Sequence, residues 1–231
     1  AKSMANWDRF FRIVQAEDSY QHLRSIHNCR GFYDHAKPWV THLSVQHRAI
    51  ENTALWREQY AKPVVVDETQ YEGNIPQSWG SLTPEKMVNR FWEGTVRGGY
   101  VGHGETYLDV HDELWWSKGG VLRGASPARL AFLAQVLAQG PAHGFDPVPD
   151  GLHTGFAAAS KGDGCYLVYC SDQQPGLLCG ELPGNAHYAV EVLDTWNMTI
   201  TALPEAAQGA FGVPLPTRPY MAVRFTRLEA E

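Results

Sequence analysis

Apolar positions recur in two different rhythms along this chain. Up to about residue 140, helical spacing alternates with short extended runs. Trp7, Phe10, Phe11 and Val14 fall at i, i+3, i+4 and i+7, one face of a helix. Short strands are predicted over 22–27 and 39–45, followed by a helix over 47–61 that must stop before Pro63. The run Pro63-Val64-Val65-Val66 is β-branched without alternation, the pattern of a parallel strand covered on both faces, and it carries on to Glu68. Thr83 reads as an N-cap with Pro84 at the first helical position. That helix carries Met87, Phe91 and Trp92 and ends at Gly98-Gly99; a strand over 100–103 follows. Ser126-Pro127 opens a last helix through Leu130, Leu133 and Leu137, closed by Gly140.

After about residue 150 the rhythm shortens. Extended segments over 155–160, 165–170, 188–193, 198–202 and 220–226 are separated by turn clusters such as Gly162-Asp163-Gly164 and Pro183-Gly184-Asn185. That spacing predicts a small antiparallel β-sandwich. The Pro- and Gly-rich stretch 140–151 reads as a linker between domains at 1–145 and 150–231.

Strands interleaved with helices in the first part predict right-handed parallel βα units. A Gly-rich phosphate loop follows none of the strands, which turns the reading away from a nucleotide-binding doubly wound sheet. Polar and acidic residues instead gather at strand C-termini, at His27-Asn28, Gln46-His47, Asp67-Glu68, and His103 with Glu105. Active sites of (β/α)₈ barrels collect at that face. The fold class expected is therefore α/β plus all-β: half of a (β/α)₈ TIM barrel, units 5–8, followed by the sandwich. Half a barrel leaves two unpaired strand edges and a bare inner face. Three arrangements stay open: a C-terminal piece of a longer enzyme, two copies pairing their half-barrels into a homo-oligomer, or a packing that is no barrel. A lone monomer is expected to expose apolar surface.

Composition narrows the function classes. The 231 residues are 44% hydrophobic and 19% charged, enough for one large or two modest domains. A net charge of −6 without any basic run excludes a nucleic-acid surface. With no membrane-length apolar run, the chain reads as soluble, with bacterial cytoplasm and secretion both open. Cys29, Cys165, Cys170 and Cys179 form no Cys-x-x-Cys pair and read as buried free thiols. No cofactor is expected. His103, Glu105, Asp109 and His111 carry metal-ligating groups, but their loop spacing lacks the order of a helical metal motif, and no metal is expected there. Eight tryptophans raise the question of sugar stacking, for which Trp115 and Trp116, in a long loop after a strand, are the candidates.

The string Lys62-Pro63-Val64-Val65-Val66-Asp67-Glu68 resembles the seventh strand of clan A glycoside hydrolases. The chain is more similar still to cellulase-like bacterial proteins related to the apiosidase-like group, which join a barrel to a small C-terminal β-domain. The resemblance is carried by residues 7–15, 22–34, 62–73, 91–107, 115–120, 194–199 and 218–221, nearly the whole chain. It implies a retaining hydrolase of a β-linked plant or microbial glycan, with Glu68 as nucleophile and an oligo- or polysaccharide as partner. It also implies a general acid/base Glu in an Asn-Glu pair at the end of strand four. The chain contains no Asn-Glu pair and reads as starting just after that point, so a missing N-terminal half-barrel or a second subunit is expected to complete the site.

Glu68 suits the nucleophile role because a strand end is rigid and points into the site. Asp67 is expected to point the other way by strand alternation. Glu105, at the next strand end, is the second candidate carboxylate: it could bind sugar hydroxyls, orient His103 or Glu68, or replace the missing acid. His27, Asn28, His42, Gln46, Tyr71, His103, Tyr107, Trp115 and Trp116 complete the expected substrate-binding set. A non-catalytic carbohydrate-binding protein that has lost the acid/base is the alternative.

Overall fold

The computed structural model describes residues 3–28, 31–111, 113, 121–142 and 144–229. In chain order the parallel part contains α1 (Met4–Glu17), β1 (His27–Asn28), β2 (Leu43–Gln46), α2 (Thr53–Tyr60), β3 (Val64–Glu68), β4 (Glu72–Gly73), α3 (Pro84–Val96), β5 (Tyr100–Val101), β6 (Glu105–Thr106) and α4 (Ser126–Ala138). The antiparallel part contains β7 (Asp146–Val148), β8 (Ala157–Lys161), β9 (Cys165–Tyr169), β10 (Leu177–Glu181), β11 (Tyr188–Asp194), β12 (Thr199–Ala202), β13 (Ala210–Pro214) and β14 (Met221–Arg227).

Strands β1, β2, β3 and β5 form one all-parallel sheet in that order. The valines of β3 explain its place: Val64 and Val66 are fully buried with Leu43, Val45, Ile50 and Trp56. Each such side chain contributes about 1.5–3 kcal/mol of burial. The strand ends are shorter than the sequence pattern suggests. Residues 22–26 and 39–42 are irregular, held by the Arg24 N–H on Thr41 Oγ1 at 2.7 Å and the Thr41 N–H on the Arg24 carbonyl at 2.8 Å. In α3 the cap is as read: Thr83 Oγ1 accepts from the Lys86 N–H at 3.3 Å, and Pro84 follows it.

The antiparallel part is a six-stranded sheet in the order β12-β11-β14-β9-β8-β7 and a two-stranded sheet of β10 and β13. Strand alternation sends the two faces of the larger sheet to different neighbours. Tyr166, Val168, Val190, Val223 and Phe225 join Leu178 of β10 and Val213 of β13 in one core. Leu167, Tyr169, Leu193 and Ala222 join Val88, Trp92 and Val96 of α3 and Phe132, Leu133 and Val136 of α4 in another. Trp92 stacks on Tyr169 with centroids 5.4 Å apart, and Arg129 of α4 lies 3.6 Å over the Trp196 ring. The two parts of the chain thus share a continuous apolar core.

Several sequence expectations change here. The stretch read as a linker contains β7, an edge strand paired to β8; Pro147 is tolerated there because an edge strand need not donate on both sides. β10 and β13 were not anticipated; Pro175-Gly176 precedes the first, and Gly212 and Pro214 lie within the second. Cys165 and Cys170 are buried free thiols, and burial pushes Cys170 up to about 12, but Cys179 is exposed because it sits on the outer side of β10. Cys29 lies outside the described residues.

Apolar surface is uncovered on both flanks of the parallel sheet. On α1 only Phe11 is buried, while Met4, Phe10, Ile13 and Val14 are exposed. At the other flank, Tyr100 of β5 is 66% exposed. It lines a cavity of about 960 Å³ together with Phe91, Leu130, Leu133 and Leu137. Among the described residues, β1 and β5 each have one strand neighbour. Among the described residues no helix is long and apolar enough to cross a membrane.

Candidate active site

The C-terminal ends of the parallel strands carry two groups of carboxylates. The first is built on β3. In the β2–β3 ladder Val45 pairs with Val66 but Gln46 pairs with Glu68, so Asp67 is an extra residue, a β-bulge. The bulge cancels the alternation expected of Asp67 and Glu68, and both carboxylates reach the same imidazole. His27 Nδ1 lies 3.3 Å from Asp67 Oδ2, and His27 Nε2 lies 2.9 Å from Glu68 Oε2. Asp67 also accepts from the Ser44 hydroxyl, and Glu68 from the Tyr71 hydroxyl. Burial, then the adjacent Glu68, pushes the Tyr71 phenol well above its usual range, so it stays a donor at working pH.

The turn after β3 fixes Tyr71. Gln70 adopts φ +77°, and the Arg90 guanidinium donates to Thr69 Oγ1 at 2.7 Å, Gln70 Oε1 at 2.6 Å and the Arg48 carbonyl at 2.7 Å. The Tyr71 ring meets Trp79 edge-on with centroids 5.9 Å apart. It lies so close over Gly104 that a Cβ there would overlap it.

The second group is built on β4 and β6, which pair in parallel beyond the main sheet. Glu72 is fully buried. Its carboxylate accepts from the Tyr107 hydroxyl at 2.9 Å, the Ala125 N–H at 2.8 Å, the Ser126 N–H at 3.2 Å and the Ser126 hydroxyl. Glu105 accepts from the N–H groups of Arg123 at 2.7 Å and Gly124 at 3.1 Å. Four successive amides leading into α4 therefore point at two carboxylates, the charge arrangement a helix N-terminus favours. His103 Nε2 lies 3.1 Å from Ser126 Oγ and 4.0 Å from Glu105. Ligating atoms of Glu72, His103 and Glu105 lie within 4.8 Å of one another, close enough for a metal ion. The carboxylate oxygens, however, are already satisfied by protein donors. Asp109, offered with these from sequence, instead accepts from the His111 and Glu113 N–H groups at 2.8 and 2.9 Å.

Of the residues expected from sequence, Glu68, His27 and Tyr71 come together, and Gln46 stands opposite Glu68 on the neighbouring strand. Glu105, His103 and Tyr107 belong to the second group. Asn28 is buried and used locally: its side chain donates to the Gly31 carbonyl at 3.1 Å and accepts from the Tyr33 N–H at 3.4 Å. His42 precedes β2, which starts at Leu43, and so lies at the opposite end of the sheet; its Nδ1 meets Thr41 Oγ1 at 3.1 Å. The strand starts later than its apolar pattern suggested. Trp115 and Trp116 fall outside the described residues. Sequence reasoning missed Glu72 and Ser126 and misplaced Asp67; a bulge leaves no mark in the residue pattern, and nothing in the string sets Glu72 apart from Glu68.

Comparison with known proteins extends this picture. Residues 155–226 match a family described as a domain of unknown function (DUF5605). No curated protein is significantly similar in sequence. A crystal structure described as that of a putative glycoside hydrolase from Bacteroides vulgatus ATCC 8482 is similar over 99% of this chain, with 30% identity and a TM-score of 0.88. The chain spans 49% of that protein's length. A glycoside hydrolase family 5 structure from the same organism has a TM-score of 0.72 at 15% identity, over 95% of this chain and 58% of its own. The catalytic domain of GH30 xylanase C from Talaromyces cellulolyticus has a TM-score of 0.51 at 12% identity, over 99% and 58%. The chain has a glycoside hydrolase-like fold of mixed α/β content with antiparallel sheets.

Proposed function

We propose that the chain supplies the nucleophile-bearing half of a retaining glycoside hydrolase acting on a β-linked glycan, with Glu68 as the attacking carboxylate. The observation that carries this reading is Glu68 itself: a part-exposed carboxylate at the C-terminal end of a parallel strand, held by Tyr71 and His27. In the first step a Glu68 oxygen bonds to the anomeric carbon as the glycosidic C–O bond breaks and the leaving oxygen takes a proton. In the second, water attacks that carbon and returns Glu68 as a carboxylate. In this reading the proton donor comes from outside the described residues. The chain has no Asn-Glu pair, and Glu105 is spent on the amides of Arg123 and Gly124.

In this reading residues 1–145 are the second half of a (β/α)₈ barrel and 150–231 a β-sandwich packed against it. The sequential parallel order of β1, β2, β3 and β5 supports a barrel over a doubly wound sheet. The free edges and bare apolar flanks are then where the other half, or a second copy, joins. The spent Glu105 favours one further reading, a carbohydrate-binding half-barrel without turnover.

A panel of 2-deoxy-2-fluoro-β-glycosides with a dinitrophenyl leaving group tests the nucleophile, because that leaving group needs no acid. The expected result is one sugar ester, on the peptide carrying Glu68, absent in Glu68→Gln. A label on another residue, or full labelling of Glu68→Gln, overturns the assignment; glycan binding without any label favours the binding reading.

A further inference from the structure

We infer that Asp67 and His27 act as one positioning unit for Glu68, fixing the direction of its carboxylate through the imidazole. The inference rests on the reading of Glu68 as nucleophile. It starts from the bulge at Asp67, which costs β3 one ladder position and turns two successive carboxylates to one side. A bulge that re-aims a side chain beside a strand end is a device rather than a defect. The imidazole stands between the two acids, with Nδ1 toward Asp67 and Nε2 toward Glu68. Ionised carboxylates only accept, so both contacts are hydrogen bonds when each ring nitrogen carries a hydrogen. Ser44 of β2 completes the unit: its hydroxyl donates to Asp67, and its oxygen lies 3.3 Å from His27 Nδ1. Among the described residues, the groups facing His27 are thus Asp67 and Glu68 from β3 and Ser44 from β2. Tyr71 holds the other oxygen of Glu68, so two donors from different segments fix both ends of the carboxylate.

The geometry excludes two other roles for His27. A general acid in a retaining site stands roughly 5–5.5 Å from the nucleophile, across the glycosidic bond. At 2.9 Å, His27 is bonded to Glu68 and cannot flank a sugar together with it. Nor are its nitrogens free for sugar hydroxyls, because both are engaged by carboxylates. His27 therefore acts through Glu68.

Carboxyl-¹³C-labelled glutamate tests the unit without substrate. The Glu68 signal is assigned as the one lost in Glu68→Gln. It is expected to move in His27→Ala and also in Asp67→Asn, whose side chain contacts the ring and not the Glu68 carboxylate; in the His27→Ala background the Asp67→Asn effect is expected to shrink, because the ring that relays it is gone. A Glu68 signal unmoved by Asp67→Asn overturns the inference. Labelling by the fluoro-sugar is the second readout: His27→Ala is expected to slow it between about tenfold and a hundredfold, as misplacement of a reacting group does. Added imidazole restores the rate, which a fold defect would not allow. Wild-type labelling rates in His27→Ala also overturn the unit. A wild-type protein that takes no label removes the nucleophile reading, while the carbon signal still decides whether Asp67 and His27 hold Glu68.

Discussion

Glu68 ends a strand of the main parallel sheet and Glu72 opens the two-stranded sheet of β4 and β6 beside it, one residue type in two opposite situations. Glu68 is part-exposed, and its donors are the side chains of Tyr71 and His27. Such partners can rearrange when a ligand arrives. Glu72 has no exposure, and two of its donors are backbone amides at the entry of α4. Those amides cannot leave without unravelling the helix start. The difference separates a carboxylate kept ready from one built in. What decides is not the acid but whether its donors belong to the backbone.

The largest effect that can break this contrast is on stability. Glu72→Gln turns an amide NH₂ toward the donors of Ala125 or Ser126, leaving them unsatisfied in a dry site. It is expected to cost roughly 1.5–3 kcal/mol, the range for hydrogen bonds to charged groups. Glu68→Gln keeps its partners in reach of water and is expected to stay within about 0.5 kcal/mol of wild type. Denaturant midpoints of the two variants check this, and equal midpoints would remove the distinction. The variants are expected to exchange places in the labelling assay: Glu68→Gln folds without labelling, while the folded fraction of Glu72→Gln still labels.

Gly104 connects the two regions. Its α-carbon lies under the Tyr71 ring, whose hydroxyl serves Glu68, while its neighbour Glu105 serves the amides before α4. Gly104→Ala must push Tyr71 aside, at a cost of about 1–3 kcal/mol for forced overpacking. Labelling of Glu68 is expected to fall with it. Tyr71→Phe keeps the ring and deletes only the donor, so it is expected to slow labelling with a smaller loss of stability. If Gly104→Ala lowers stability but leaves labelling intact, the Tyr71 contact to Glu68 has no bearing on the site.

Much of this frame was legible in the residue pattern, and the reasons are physical. The unbroken valines of β3 demanded a covered parallel strand, and Thr83-Pro84 demanded a helix start; burial and capping act locally. Glu68 was legible through its position at a strand end. Asp67 was not, because the bulge depends on how β2 and β3 align, and register is a property of two strands. Glu72 was not, because its partners at 125 and 126 lie more than fifty residues away. His42 was misjudged because β2 starts later than its apolar residues suggested, which leaves it at the far end of the sheet, and Asn28 because its side chain is taken up by the backbone of Gly31 and Tyr33.

The smallest effect concerns a histidine outside both groups and serves as a control on them. His35 is fully buried among Phe32, Tyr33 and Tyr60, and among the described residues neither ring nitrogen has a hydrogen-bond partner. Burial, and then the nearby Lys62, holds its imidazole below the ordinary value. The folded protein therefore keeps His35 neutral, while the unfolded chain takes up a proton once pH falls below about 6.5. The unfolded state binds more protons across that window, so stability declines as pH drops through it. His35→Leu, close in volume and without orphan nitrogens, is expected to raise stability by about 1 kcal/mol near neutral pH. It should also flatten the decline below pH 6.5, with labelling of Glu68 unchanged. Thermal melts between pH 5 and 8 read both effects; an unaltered slope would assign the acid sensitivity to the carboxylate groups at the other end of the sheet.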